Sequence, residues 1–351
     1  MAWRGDHPSA GERLVAAETP IALTYGRATH AVMLATPADL EDFAVGFSLA
    51  EGIIARPHDI ATLDIVALPD GIECRMDLGA ARLDALTRRH RHMAGPSGCG
   101  LCGLDSLVAA MRPPPPVPMG RRFTPAMIRD AMQAMQRAQG LNDATRAVHA
   151  AAFWTPESGL VAVREDVGRH NALDKLCGAL ARAAIDGAAG MVLLSSRVSV
   201  EMVQKTAIAG VPVLAAISAP TSLAIRTADA AGITLAGIAR SDGCEVFSHP
   251  DRIAVSSAAS RPCAGATARP FHSTGDDGLA PAAPAPTAPA PTAPASAAPA
   301  SAAPVPTAPA PTGPAPATAG TGRDGPGSAA SAAAASTPSA TVLARRARHH
   351  V

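Results

Sequence analysis

Aromatic residues are scarce in this 351-residue chain: two Trp, one Tyr and six Phe, 3% of the total. So sparse a set disfavours a base-stacking surface for single-stranded nucleic acid. Charge of one sign is lacking too. Lys and Arg number 30 against 29 Asp and Glu, a formal net charge of +1, which leaves no global basic footprint for a polyanion. Six cysteines are dispersed at positions 74, 99, 102, 177, 244 and 263, and only Cys99 and Cys102 lie close together. That is no disulfide framework for a secreted domain of this size. Charge, Pro or Gly breaks every apolar stretch well before 18 residues, so no membrane span is expected. The opening residues, Met1-Ala2-Trp3-Arg4-Gly5-Asp6-His7-Pro8, lead into no apolar signal-peptide core. These absences predict a soluble cytoplasmic protein with reduced thiols, acting without nucleic acid or membrane.

What is present divides the chain by composition. Residues 1–14 read as a flexible lead, and 15–258 as one globular domain large enough for a core and a smaller lobe. Residues 259–351 are rich in Ala, Pro, Thr and Ser. Pro removes backbone donors and the other residues bury little surface, so a disordered tail is expected. Its end, Arg345-Arg346-Ala347-Arg348-His349-His350, is basic.

Periodicity predicts short strands at Ile21 to Tyr25 and Ala31 to Ala35, with a turn at Gly26. A helix from Asp39 to about Ile53 follows, in which Gly46 reads as a tolerated weakness. Ile60 to Leu68 and Ile72 to Leu78 read as a hairpin around Pro69-Asp70-Gly71, and Pro125 to about Ala138 as an amphipathic helix. From Ala147 the pattern alternates. Strands are expected at Val148 to Trp154, Leu160 to Glu165, Met191 to Ser195, Val211 to Ile217 and Ile233 to Ile238. Helices are expected at Asn171 to Ile185, Val200 to Ala209 and Ser222 to Ala230. Strands and helices alternating over short connections predict an α/β core, about 145–258, with parallel strands.

The segment Gly98-Cys99-Gly100-Leu101-Cys102-Gly103 satisfies a dinucleotide fingerprint by letters alone. No hydrophobic strand precedes it, so that reading fails. A structural zinc site needs four ligands; this C-x-x-C supplies two, and His90 and His92 are the residues nearby to complete it. A thioredoxin-like pair needs a strand-to-helix junction, which the glycine-rich loop 95–103 does not offer. Sulfur transfer fits better. The thiolate is the reactive form, neighbouring cations favour it, and Arg88-Arg89-His90-Arg91-His92 lies just upstream of Cys99. That basic run is equally readable as a solvated face. A deaminase would need H-x-E with P-C-x-x-C, and Ser97-Gly98 precede Cys99 instead.

Five stretches resemble, in order, the formate dehydrogenase accessory sulfurtransferase family (FdhD). They are Gly46-Phe47-Ser48-Leu49-Ala50-Glu51-Gly52-Ile53-Ile54, the loop Ser97 to Gly103, Arg164-Glu165-Asp166-Val167-Gly168-Arg169-His170-Asn171-Ala172-Leu173-Asp174-Lys175-Leu176, Ser195 to Lys205, and Ser218-Ala219-Pro220-Thr221-Ser222-Leu223-Ala224. The resemblance spans about residues 15–255. It implies a cytidine-deaminase-like α/β core with a smaller N-terminal lobe. It implies a homodimer that takes persulfide sulfur from a cysteine desulfurase onto Cys99, with Cys102 assisting. The acceptor would be the molybdenum bis(molybdopterin guanine dinucleotide) cofactor, bound transiently for the formate dehydrogenase catalytic subunit. Ile238, Ala239, Arg240, Ser241, Asp242 and Gly243 fall where the family binds that cofactor. No resident metal is implied. The alternative is a non-catalytic cofactor chaperone or zinc-stabilised binding module. The chain departs from the family pattern twice: Thr145-Arg146-Ala147-Val148-His149 replaces a glycine pair, and Ile238 replaces an aromatic.

The periodicity points independently to one place. Asp166 to Asn171, Ser196 to Ser199, Ser218 to Thr221 and Arg240 to Gly243 each follow a predicted strand. In an open parallel sheet such loops share the carboxyl edge, where ligands bind. The first three also open helices, whose free amides attract anions, although capping by Asp, Ser and Thr accounts for the same residues. Asn171, Asp174 and Lys175 share a helix face, as a surface pair or as a polar floor to the site. Cys74, Cys177 and Cys244 read as small core residues.

Overall fold

The computed structural model describes residues 2–4, 6–9, 11–79, 83, 113–254 and 344–349. The cysteine loop, the basic run before it and most of the Ala/Pro-rich tail lie outside the described residues.

The leading segment holds three strands, β1 (Ala2–Arg4), β2 (His7–Ser9) and β3 (Gly11–Ala16). Next come β4 (Thr19–Tyr25), β5 (Ala28–Ala35), helix α1 (Leu40–Ala50), β6 (Ile60–Leu68) and β7 (Gly71–Leu78). These four strands form a sheet in the order β5-β4-β7-β6. Both expected hairpins are present and antiparallel, and a parallel β4–β7 pairing joins them. Strand alternation puts Ile21, Leu23, Cys74 and Met76 on one face, against Phe43, Val45 and Phe47 of α1, in a single buried cluster.

Helix α2 (Pro125–Arg137) begins at Thr124, whose side chain accepts from the Met127 amide, and Pro125 supplies a first-turn φ. A short helix α3 (Gly140–Thr145) follows. The core then runs β8 (His149–Thr155), β9 (Gly159–Asp166), α4 (Arg169–Arg182), β10 (Met191–Leu194), α5 (Val200–Ile208), β11 (Val213–Ala216), α6 (Ser222–Ala231), β12 (Thr234–Arg240) and β13 (Gly243–Ser248). The sheet order is β13-β12-β11-β10-β8-β9. Strands β10, β11 and β12 are parallel; β8 is antiparallel to both β9 and β10, and β13 to β12.

Both faces of this sheet are covered. Ala151, Phe153, Val192, Leu194 and Leu214 pack with residues of α4, α5 and α6. Ala150, Ala152, Trp154, Leu193 and Val213 pack with Ile128, Met132 and Met135 of α2. Burial on two sides explains why Met191–Leu194 and Val213–Ala216 are apolar throughout rather than alternating. The result is the expected mixed α/β core with a smaller N-terminal lobe.

Lobe and core meet where α1 crosses α4. A Cβ on Gly46 would stand 1.8 Å from the Asp174 carbonyl oxygen, and one on Gly178 would stand 1.9 Å from the Asp42 carbonyl oxygen. Gly46 is therefore the contact that lets the helices touch backbone to backbone, not the weakness that helix propensity suggests. Ion pairs flank the crossing: Asp42 accepts from Arg164 at 2.6 Å and from Arg182 at 2.5 Å, and Arg182 also pairs with Glu41.

Two peripheral segments carry strands. Within residues 1–14, expected as a flexible lead, lie β1, β2 and the start of β3. The end of the tail, β14 (Ala344–His349), pairs antiparallel along Gly11–Ala16, placing Arg348 opposite Glu12. Backbone ladder bonds need no hydrophobic composition, so the Ala/Arg segment gave no sign of this pairing. Both departures from the family pattern also acquire a geometry. Arg146 and Ile238 adopt positive φ, 56° and 50°, a region costly for residues with a Cβ. Among the described residues no helix is long and apolar enough to cross a membrane.

Candidate functional site

Because β9, β10, β11 and β12 run in one sense, their carboxyl ends share an edge, with the start of β8 at His149 between the first two. Backbone bonds stitch the loops along this edge together. The Ser195 amide donates to the Ala150 carbonyl at 3.0 Å, Thr221 to Val198 at 2.9 Å and Ile238 to Ser218 at 3.3 Å. The four polar segments singled out in the sequence therefore converge.

The floor of the edge is a densely hydrogen-bonded polar network, in which Asn171 Oδ1 alone has no partner among the described residues. Asp166, wholly buried, receives the Lys175 ammonium at 2.6 Å and the Thr36 amide at 2.9 Å on one oxygen. Its other oxygen receives the Gly168 amide at 2.8 Å and Asn171 Nδ2 at 3.0 Å. Lys175 also donates to the Thr36 carbonyl at 2.8 Å, and Asn171 Nδ2 to the Leu34 carbonyl at 2.9 Å. Thus residues at the end of β5 are tied to the start of α4. One turn along, Asp174 pairs with Lys205 of α5 at 2.5 Å. Burial pushes the Asp174 carboxyl up to about 6, and the facing Lys205 ammonium opposes that rise. Of the two readings of Asn171, Asp174 and Lys175, the floor is the one found.

The rim differs. Arg169 and His170 open α4, and Ser199 and Glu201 open α5. Arg169 Nε, His170 Nε2, Ser199 Oγ and Glu201 Oε2 are all enclosed and have no hydrogen-bond partner among the described residues. His170 Nε2 lies 4.0 Å from the Glu201 carboxylate, with the two side chains 13% and 12% exposed. Burial holds His170 down to about 4, with Arg169 and Lys205 adding to the effect and Glu201 resisting it. His149 is lowered as well, by burial and then by Arg169 and Arg197. Both imidazoles are therefore neutral near pH 7. Neither Gly168 nor Ser199 caps its helix with a side chain, so first-turn amides of α4 and α5 remain available, whereas Thr221 caps α6 through the Ala224 amide.

The 238–243 segment is placed at this edge with a different shape from that expected. The strand does not stop near Ile238; β12 continues through Ala239 to Arg240, and Ser241-Asp242 turn directly into β13 at Gly243. A register shift between Gly237 and Arg240, with Ile238 at positive φ, marks a bulge there. A bulge adds a residue that the regular strand pattern does not announce. Arg240, Ser241 and Asp242 are exposed, as is Arg197 across the edge.

Sequence reasoning named the segments holding Arg169, His170 and Ser199 but missed His149, Glu201 and Lys205 as members of the site. The available signal was charge in the first two turns of a helix that directly follows a buried strand. Cys99 and Cys102, with His90 and His92 of the zinc alternative, lie outside the described residues. Of the described cysteines, Cys74 and Cys177 are buried, and burial pushes both thiols up to about 12; Cys244 is raised by the same cause. None of these three is a ready thiolate near neutral pH.

Fold and edge together define a mixed α/β protein with a half-buried polar rim over a buried ion-pair floor. The FdhD/NarQ family model matches residues 16–254, and the chain belongs to that family. It is 54% identical over 253 residues to the sulfur carrier protein FdhD of Agrobacterium fabrum, covering 72% of this chain and 93% of that protein. It is 51% identical over 239 residues to the sulfur carrier protein FdhD of Bordetella petrii, covering 68% and 86%. A solved structure from Desulfotalea psychrophila, assigned as a formate dehydrogenase accessory protein, superposes with a TM-score of 0.54 at 24% identity, covering 70% of this chain and 99% of that one. This last likeness supports the fold.

Proposed function

We propose that this protein is a sulfur carrier for formate dehydrogenase maturation. Cys99 takes a persulfide from a cysteine desulfurase and yields its outer sulfur to the molybdenum bis(molybdopterin guanine dinucleotide) cofactor. The observation that carries the reading is the 54% identity to a protein named as a sulfur carrier, over a length that matches nearly all of that relative. In the loading step the Cys99 thiolate attacks the outer sulfur of the donor persulfide. A new S–S bond forms on Cys99, the donor S–S bond breaks, and the donor cysteine leaves as thiolate, with no net redox change. The high thiols of Cys74, Cys177 and Cys244 favour the cysteine loop as the carrier.

The edge fits a polyanionic acceptor. Arg197 and Arg240 are exposed there, and the uncapped amides of α4 and α5 add neutral donors. Ile238 to Gly243 would hold the cofactor, with Arg240 offering its planar fork to a phosphate. The bound group supplies the metal centre that receives sulfur; the protein supplies position and charge.

Intact mass after incubation with a cysteine desulfurase and cysteine tests the carrier role. One added sulfur is expected on the wild type and none on Cys99→Ala, which should also fail to support client activity while remaining folded. Cys102→Ala should do no worse than Cys99→Ala. Stoichiometric zinc, with Cys99 and Cys102 inert to alkylation, would replace this reading with a zinc-stabilised cofactor-binding module.

A further inference from the structure

Among the described residues β3 (Gly11–Ala16) pairs with no strand but β14 (Ala344–His349). Without β14, β3 would present a row of open backbone donors and acceptors. The bland account is a chance pairing of two such edges, which the backbone allows for any sequence. The register argues against it. β14 contains Arg345, Arg346 and Arg348, while β3 contains one arginine, Arg13, and one acid, Glu12. As paired, Arg13 stands opposite Ala347 and Glu12 opposite Arg348. A slip of one residue in either direction would set Arg346 or Arg348 opposite Arg13 and part Arg348 from Glu12. Like charges directly opposite destabilise a strand pair and opposite charges stabilise it, so charge selects the register found.

The partner strand is itself fixed to the core. Leu14 and Ala16 pack with Leu141 and Val148, beside Val167. Arg13 donates to the Thr145 carbonyl at 3.0 Å. These contacts lie at the corner where α3 passes through Arg146, at φ 56°, into β8 at His149. We infer that the edge of β3 is a docking site for a basic strand, and that its occupant is this chain's own terminal segment, tethered through residues 255–343. Docked, the segment clasps β3 onto the α3–β8 corner. β14 and all of β3 but Ala16 lie outside the family match at residues 16–254, so the clasp stands or falls apart from the carrier reading. The tether makes docking intramolecular, so a free copy of the segment has to compete with a high local concentration of the resident one.

Hydrogen exchange on the full chain, followed by mass spectrometry, tests this. In the wild type the amides of residues 12–16 should be protected. Glu12→Arg and Arg348→Glu should each lower that protection by about threefold or more, the reach of one cross-strand charge pair. The α3 amides should loosen with them, while those of β10 and β11 stay unchanged and report that the core is folded. The double variant Glu12→Arg with Arg348→Glu should restore protection, which loss through misfolding would not do. A labelled peptide of residues 343–350 should bind Arg348→Glu more tightly than wild type, because the weakened resident copy yields the site; a scrambled peptide should bind neither. Arg348→Ala, a milder change, covers the case in which either reversal fails to fold, and should lower protection less. Unprotected β3 amides in the wild type, or a double variant that restores nothing, would overturn the inference. Loss confined to β3 with α3 unchanged would overturn the clasp. Protection that falls on dilution, together with a doubled mass by light scattering, would overturn the tethered occupant in favour of a second copy's segment.

Discussion

The floor and the rim of the sheet edge meet at the start of α4 and differ in burial and in hydrogen bonding. At the floor, Asp166 alone accepts four hydrogen bonds. At the rim, Arg169 and His170, three and four residues along, have enclosed nitrogens with no partner among the described residues. The floor is wholly buried, the rim about an eighth exposed, and hydrogen bonding is denser at the floor. The buried network around Asp166 and Lys175 holds the N-terminal lobe to the core, because any shift breaks several bonds at once. An enclosed polar atom without a partner is costly to keep.

The largest effect that would break this contrast is expected at the floor. Lys175→Met leaves the Asp166 charge buried without its cation, although both side chains are wholly enclosed in the parent. Removing one partner of such a pair costs about 3–5 kcal/mol. Denaturant unfolding should show that loss; a cost below about 1 kcal/mol, the range of an exposed pair, would mean the network does not hold the lobe. Next comes the helix crossing behind the floor. Gly178→Ala should destabilise by about 2–3 kcal/mol, although Ala is the better helix former, since its methyl meets the Asp42 carbonyl rather than a movable side chain. A stabilised variant would show that α1 and α4 slide apart freely.

Much of the scaffold was legible and the floor was not, for the same reason. Strand and helix periodicity is local, so the elements after Ala147 fall where buried apolar runs and polar joints put them. Pairings across the chain are not local. The parallel β4–β7 contact joins residues about fifty apart, and its hairpins look complete without it. Asn171, Asp174 and Lys175 were visible as one helix face, but their partners, Thr36, Asp166 and Lys205, lie on other elements. Propensity read Gly46 as a cost because the surface it meets is on α4. The turn at Ser241-Asp242 was hidden by the bulge that lengthens β12. The cysteine loop was legible as a motif only.

A third test takes the contrast to acid. His170 titrates at about 4 in the fold against an ordinary value near 6.5, because burial disfavours its charged form. The unfolded chain therefore binds this proton first. The folded state is penalised progressively as pH falls from about 6.5 towards 4, and the contribution is intact above that window. Asp174 works the other way. Raised to about 6, it lets the folded state take a proton first, so acid favours folding through that group. The two mask each other in the wild type, and a difference measurement separates them. His170→Gln keeps the Asp174 contribution and deletes the histidine one. Between pH 7 and pH 5 the variant should gain about 2 kcal/mol relative to wild type. Parallel stability curves would mean that His170 is not shielded as the rim geometry requires.

The smallest expected effect has the opposite sign from the floor and so tests the contrast most directly. Ser199 occupies the cap position of α5, where replacing Ser by Ala ordinarily costs about 1 kcal/mol through the lost bond to a first-turn amide. Here that bond is absent, so nothing is lost with the hydroxyl. What remains is an enclosed oxygen without a partner. Taking it away should leave stability unchanged or raise it by up to ~1 kcal/mol, a gain of about 2–4 °C in Tm for a domain of this size. A drop of about 1 kcal/mol without ligand would identify Ser199 as an ordinary cap. The rim would then be no less satisfied than the floor, and the distinction between holding and binding along this edge would fail.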